Sequence, residues 1–243
     1  MLNIKQYLKF TCQTFTTYPN SWRIFLKTFK RQLVILGSDA LWLIFIAAIF
    51  SGMVFSIQAF LSLDRFGAGM SIGEYLPISM YRELGPIIAG LVYTGRSGSF
   101  VATEIAAMKA NGQIDCMDIM GMKLLPNVVL PRFLAILLTF PGLVMIFNVI
   151  SIIVCFFMTK FHYHFPVVGF FENLRYVIDY KLELKMTLYK SLVFAFAIAS
   201  SATYHGYYAN INAEGVGKAA TAAVVWATFS MLVLDFIVTG LLV

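Results

Sequence analysis

The sequence predicts an all-α integral membrane protein: an N-terminal interfacial amphipathic helix within residues 1–37, then five transmembrane helices over residues 38–243. Three observations predict it. Of 243 residues, 60% are hydrophobic and 12% are charged, whereas soluble domains average about 45–50% apolar and about 25% charged. Mean hydropathy is +0.80. Four runs nearly free of charge are each long enough to cross a bilayer as a helix. A water-soluble enzyme is excluded, and so is a disordered chain, which needs low hydrophobicity.

The elements follow in chain order. Pro19-Asn20-Ser21 supplies a helix start. After it, Trp22, Phe25, Leu26, Phe29 and Leu33 recur on one face while Arg23, Lys27, Lys30 and Arg31 occupy the other. Such a basic amphipathic helix suits the cytoplasmic membrane surface, or a partner protein, at residues 1–37. The first span is Ala40 to Leu63, between Asp39 and Asp64. The second, Tyr75 to Val101, carries Arg82, Glu83 and Arg96, and is needed to keep the flanking polar segments on consistent sides. A helix-prone polar stretch, about 104–120, precedes the third span, Phe133 to Thr159. The fourth is Ser191 to Ala213, and the fifth Ala219 to Val243, interrupted by Asp235.

Six Lys and Arg precede the first span and only Arg65 lies in the short loop after it, which places the N-terminus in the cytoplasm. The basic 160–190 loop, with Lys160, Arg175, Lys181, Lys185 and Lys190, dissents from this topology. The 39-residue basic leader and the long first apolar run do not resemble a cleavable signal peptide. A net charge of +6 favours anionic lipid over nucleic acid as the partner surface.

Chemistry concentrates in the second span. A charge in a membrane helix costs about 2.5–3.5 kcal/mol on insertion scales, and Arg82 and Glu83 are adjacent. Neighbours on a helix point about 100° apart, so the two cannot neutralise each other across one face. Pro86 removes a backbone donor directly beyond them. The pair borders a polar recess, or forms a structural ion pair with another helix, Lys190 being the obvious candidate for Glu83. Asp235 is a further polar contact inside a span. Small residues at Gly95-Arg96-Ser97-Gly98-Ser99 allow close helix packing, and Gly69 with Gly73 forms a GxxxG at a span edge. In the 104–120 stretch, Ile105, Met108, Ile114, Met117 and the Ile119/Met120 pair make Met-rich apolar patches with acidic edges. They suit a groove in another protein, or a connector lying on the membrane.

Enzymatic readings fall away. His162-Tyr163-His164 lacks a third ligand, so no metal site is expected. His205 reads as a hydrogen-bonded helix residue, and Cys12, Cys116 and Cys155 as small apolar side chains without a disulfide framework. Gly215-Val216-Gly217-Lys218 is followed by Ala219 and lacks the upstream glycine of a phosphate loop. The chain is therefore not expected to hydrolyse ATP, be an enzyme or need a cofactor.

Several blocks occur in a telling order: Gly52-Met53-Val54-Phe55-Ser56-Ile57-Gln58, Arg82-Glu83-Leu84-Gly85-Pro86, Gly95-Arg96-Ser97-Gly98-Ser99 with Glu104, Gln113-Ile114-Asp115, Pro131-Arg132-Phe133 and Ala213-Glu214-Gly215-Val216-Gly217. Together, from about Leu33 onward, they resemble the MlaE/YrbE family of ABC transporter permeases. The resemblance implies an interfacial helix plus five transmembrane helices in a multi-pass protein of the bacterial inner membrane. It implies a homodimer on separate ABC ATPase subunits, working with an MCE-domain substrate-binding protein, with a STAS-domain subunit among the candidate accessories. The implied activity is phospholipid transport between inner and outer membranes, maintaining outer-membrane lipid asymmetry.

By the same resemblance, Arg82, Glu83, Leu84 and Lys190 face the lipid cavity. The segment holding Glu104, Met108, Lys109, Gln113 and Asp115 is the coupling helix that rests on the ATPase. Asn111-Gly112 interrupts that helix where the family usually carries Thr-Glu. In physical terms Arg82 and Lys190 are charge-assisted donors for a phosphate, and Glu83 a partner for an amine or for the basic residues themselves. The alternative from another class, a non-transporting membrane scaffold assembling an envelope complex, offers no reason for charges inside the bilayer. A lipid-modifying enzyme with Glu83 as acid/base lacks a nucleophile.

Overall fold

The computed structural model describes residues 4–18, 22–67, 72–163 and 180–242, and every regular element among them is helical. In chain order these are α1 (Ile4–Thr16), α2 (Trp22–Arg65), α3 (Ile72–Ser79), α4 (Gly85–Tyr93), α5 (Ser99–Ala110), α6 (Gln113–Ile119), α7 (Leu130–Tyr163), α8 (Tyr180–Tyr207) and α9 (Ala213–Leu242). Two π-helical turns, Met80–Leu84 and Thr94–Gly98, join α3, α4 and α5 without a break, and a third, Leu125–Val129, leads directly into α7.

α7 is the centre of the bundle. It packs along α2 on one side and α8 on the other, while α9 lies against α8 and α5. Phe133, Ile136, Phe140, Val144 and Phe147 recur every three or four residues along α7 and are fully buried. The facing stripe on α2 repeats every four residues: Leu36, Ala40, Ile44, Ala48, Gly52, Ser56. Small side chains dominate it because, in lipid, close backbone approach is the main source of helix association. At Gly52 a Cβ would stand 2.8 Å from the Ser151 carbonyl oxygen. Ser151 and Cys155 of α7 donate across the seam to the Ala48 and Gly52 carbonyls, each at 3.3 Å.

Three helical stretches are long and apolar enough to cross a membrane by length and composition: Trp22–Arg65, Leu125–Phe161 and Ala213–Leu241. They contain the expected first and third spans and all but the last two residues of the fifth. The expected second span is a continuous helical run from Ile72 to Ala110 with two π turns in it. The expected fourth span lies within α8, which begins eleven residues earlier than Ser191 and ends at Tyr207 rather than Ala213.

Two features of the N-terminal region differ from the sequence reading. α1 was not anticipated. Its Tyr7, Phe10 and Thr14 lie at helical spacing and Phe10 packs on Tyr204 and Tyr207 of α8. The basic amphipathic stretch is not a separate interfacial helix but the first turns of the 44-residue α2. Gly37-Ser38-Asp39 does not end it, since none of the three lacks a backbone donor. Its apolar face is also used inside the protein: Phe25 is buried, and Phe29 and Leu33 pack on the main core. The Pro19-Asn20-Ser21 helix start, the GxxxG at Gly69 and most of the basic 160–190 loop lie outside the described residues.

Candidate functional site

The second-span charges are joined to the end helices by a network of ion pairs. Pro86 has no N–H, so the Arg82 carbonyl one turn back lacks its helical partner. In the π turn Met80–Leu84 the Gly85 N–H reaches the Met80 carbonyl instead. The Arg82 carbonyl accepts a hydrogen bond from Lys190 Nζ at 2.9 Å, and the Tyr81 carbonyl accepts one from Thr187 Oγ1 at 2.8 Å. Both donors stand on α8, so the interrupted helix is completed from its neighbour.

Lys190 has three protons. They go to the Arg82 carbonyl, to Glu83 Oε2 at 2.7 Å and to Thr239 Oγ1 at 2.9 Å. Asp235 Oδ1 completes the surroundings as an ion-pair neighbour at 2.6 Å. Thr239 in turn donates to Glu83 Oε1 at 3.1 Å. Arg82 presents Nε and Nη2 to Glu183, at 2.9 and 2.5 Å. If all five groups are ionised, two cations face three carboxylates. Burial is uneven. The Lys190 and Glu183 side chains are 4% and 6% exposed, while those of Arg82 and Glu83 are both 39% exposed. Lys190 is therefore fully committed within the protein, and the free edges of the network belong to Arg82 and Glu83. Leu84 turns the other way and packs against Ala59, Leu76, Met80 and Cys155.

A cavity of about 670 Å³ opens between α8 and α9, walled by Leu192, Phe196, Trp226, Phe229 and Val233, with Tyr7 and Ser200 at one end. Arg82, Glu83, Leu84 and Lys190 are not among its lining residues. Tyr189 and Val193 line it, on either side of Lys190 in sequence, because consecutive helical residues point to different faces.

The residues expected at the ATPase contact divide into two groups. Glu104 is held by Arg132 Nε at 2.8 Å and Gln32 Nε2 at 3.0 Å. Burial opposes its ionisation, but the hydrogen bond and charge of Arg132, helped by Gln32, hold its carboxyl below the usual range. Met108 packs on the core and lies beside the Arg132 guanidinium. Lys109 Nζ caps the end of α8 by donating to the Tyr207 and Ala209 carbonyls at 3.1 and 2.9 Å. These three face the bundle. Gln113 and Asp115, in contrast, are exposed on α6. α6 is set off from α5 at Gly112, whose φ of +68° is readily adopted by glycine. Ile119, the last residue of α6, is 86% exposed and Met120 just beyond it 63%.

The sequence reading missed Glu183 and Thr187, although Glu183, Thr187 and Lys190 have the i, i+4, i+7 spacing of a single helix face. The hydrogen bond expected for His205 is not found: its Nε2 is buried and unpartnered among the described residues. No group of three His, Cys, Asp or Glu able to hold a metal occurs among those residues.

The sequence profile described as Permease MlaE matches residues 29–241. The chain belongs to the MlaE permease family. Similar proteins include a probable ABC transporter permease protein of Rickettsia typhi, 32% identical over 219 residues, covering 90% of this chain and 84% of that one. The intermembrane phospholipid transport system permease protein MlaE of Haemophilus influenzae is 31% identical over 212 residues, 87% of this chain and 81% of its own. The chloroplastic protein TRIGALACTOSYLDIACYLGLYCEROL 1 of Arabidopsis thaliana is 26% identical over 90% of this chain and 61% of its own. In this MlaE permease the matched region contains the whole Arg82–Glu183 and Glu83–Lys190–Asp235 network and the Glu104–Arg132 pair.

Proposed function

We propose that this MlaE permease is the membrane subunit of an ABC transporter that moves phospholipids between the inner and outer membranes of a bacterial envelope and so maintains outer-membrane lipid asymmetry. The reading is supported by the family, by the name of the Haemophilus influenzae relative, and above all by one observation. Arg82 and Glu83 are half-exposed charges on a helix of the bundle, held in place by a lysine that is itself sealed inside.

A phospholipid head group carries an anion and, in phosphatidylethanolamine, a cation. The guanidinium edge that Glu183 leaves free meets the phosphate as a charge-assisted donor, and Glu83 meets the amine. Lys190 acts as a positioning residue: it fixes Glu83 and splints the Pro86 interruption. The apolar cavity between α8 and α9 is large enough to shelter acyl chains beside this head-group station.

Two copies of the chain form the transporter core, and a separate ABC ATPase supplies the energy. The exposed end of α6, with Gln113, Asp115, Ile119 and Met120, docks on that ATPase. Glu104, Met108 and Lys109 tie α5 and α6 to Arg132 and to the end of α8, and so pass ATPase movement into the bundle. An MCE-domain protein takes the lipid on the far side, with a STAS-domain subunit as accessory. The N-terminus is cytoplasmic, five helical stretches cross the inner membrane, and the start of α2 lies at its surface. A pure scaffold would leave the exposed charges of Arg82 and Glu83 without a role.

The test uses the intact complex. Replacing Glu83 with Gln or Arg82 with Gln should lower ATP-dependent phospholipid transfer and lipid co-purification while ATPase assembly is retained. Unchanged lipid occupancy and transfer in both variants would overturn the reading.

A further inference from the structure

Glu104 lies about 30 Å further along the Ile72–Ala110 helical run than Glu83, at 1.5 Å rise per residue. At that level a second, polar cavity of about 540 Å³ opens between the start of α2, the end of α5, α6 and the π turn before α7. Its lining includes Lys27, Arg31, Gln32, Gln113 and Asn127, and the Glu104–Arg132 pair.

Two independent observations set it apart from a solvated cleft. Gln32 and Asn127 are 1% and 3% exposed. The amide nitrogen of Gln32 donates to Glu104, and that of Asn127 to the Lys123 carbonyl at 2.9 Å, which fixes which end of each amide is oxygen. The two remaining oxygens, Gln32 Oε1 and Asn127 Oδ1, are buried and without a partner among the described residues. A buried acceptor left unmade is costly, so both call for a hydrogen-bond donor. The second observation is at the rim. Lys27 and Arg31 are one turn apart on α2, both exposed, and neither makes an ion pair among the described residues. Arg31 acts on Glu104 at longer range, but Lys27, Arg31 and Arg132 face that one carboxylate in the cavity, an excess of positive charge that suits an anion.

Both oxygens are sealed from the open cavity as the side chains stand, so meeting a ligand takes a turn of each amide; one ligand class then satisfies both demands, a phosphate ester whose neighbouring group carries N–H or O–H donors. The cavity also has apolar wall, from Ile24, Met117 and Met122. It lies on α2 about 12 Å before the apolar run that starts at Ala40, close to the depth of a lipid head-group layer. We propose that this cavity is a second phospholipid site, which takes the ethanolamine or glycerol head group of a lipid in the leaflet nearest the start of α2. It is distinct from the Arg82–Glu83 station and stands whether or not transport occurs there. An occupant here ties α2 to α6, the segment proposed to meet the ATPase.

Hydrogen–deuterium exchange on the intact complex in phosphatidylcholine nanodiscs, with and without added phosphatidylethanolamine, reads the site locally, since choline carries no N–H donor. Phosphatidylethanolamine should slow exchange in residues 22–32 and 113–119, and its retention in native mass spectrometry should fall roughly tenfold in the Lys27→Gln/Arg31→Gln variant, where two charge-assisted contacts are lost. Both positions are exposed, so that variant folds. Asn127→Leu should abolish the preference for phosphatidylethanolamine over phosphatidylcholine. Equal protection by both lipids, or retention unchanged by Lys27→Gln/Arg31→Gln, would overturn the proposal. Equal protection by soluble phosphoethanolamine or inorganic phosphate would also overturn it, by assigning the cavity to a soluble phosphate. Loss of the ATPase subunit from Lys27→Gln/Arg31→Gln, with lipid retention intact, would assign the surface to a protein partner. Exchange in residues 22–32 and 113–119 is local to this cavity and is unaffected by loss of lipid from the Arg82–Glu83 station; the retention and preference comparisons are made in the Glu83→Gln background, where that station's own lipid is already lost.

Discussion

Lys190 on α8 donates a hydrogen bond to the Arg82 carbonyl, the backbone acceptor that Pro86 leaves without its helical partner. The same ammonium reaches Glu83 and Asp235, so one side chain repairs a helix and holds two carboxylates together. Lys190→Met would strip all of this away at once. Breaking a buried pair by removing one partner costs about 3–5 kcal/mol, and the lower end applies because Glu83 keeps solvent contact. Thermal unfolding of the detergent-solubilised complex should show the loss.

Pro86→Ala separates the two duties of Lys190. The restored N–H competes for the backbone acceptors, so the π turn Met80–Leu84 should relax towards a regular helix and rotate Arg82 and Glu83. Lipid transfer should fall while the unfolding temperature holds or rises.

Arg82→Lys keeps the charge but loses the fork that places Nε and Nη2 on Glu183. Transfer should drop several-fold, with ATPase assembly unchanged in co-purification. Glu183→Gln should weaken the same contact from the other side.

Gly52→Ala tests the seam between α2 and α7. With the Ser151 carbonyl 2.8 Å from the new Cβ, the helices must separate, at a cost of about 1–3 kcal/mol typical of overpacking. A lowered unfolding temperature of the complex is the expected reading.

The Glu104 carboxyl has a lowered pKa in the fold, so its ionised form binds more favourably there than in the unfolded chain. Its contribution is fully present above the unfolded carboxylate range, about pH 4.3, and disappears as pH falls through the depressed folded value. Acidifying the complex through that window should lower its unfolding temperature, and Glu104→Gln should flatten that part of the profile.

Much of this was legible because bilayer chemistry leaves coarse marks. Charge-free runs located three apolar helices, and the rarity of charge in membrane spans singled out Arg82 and Glu83 in the second span and Asp235 in the fifth. The Glu83–Lys190 pairing was legible as one of two alternatives because few partners for an intramembrane carboxylate exist. Glu183 was hidden by the basic residues around it, which made 160–190 read as a loop although Tyr180 already begins α8. The inward turn of Glu104 and Lys109 was hidden too, because exposure on a short cytoplasmic helix depends on tertiary neighbours such as Arg132 and the Tyr207 carbonyl.

α2 is unbroken for 44 residues, which at helical rise is about 66 Å, against about 40–45 Å for a whole bilayer with its head groups. Moving as one rod, α2 would turn a few degrees of lean where Lys27 and Arg31 stand into a sideways sweep of Gln58 and Leu61 at its other end. A signal arriving on one side of the barrier would thus reach the other through leverage alone, with no relay of side chains between.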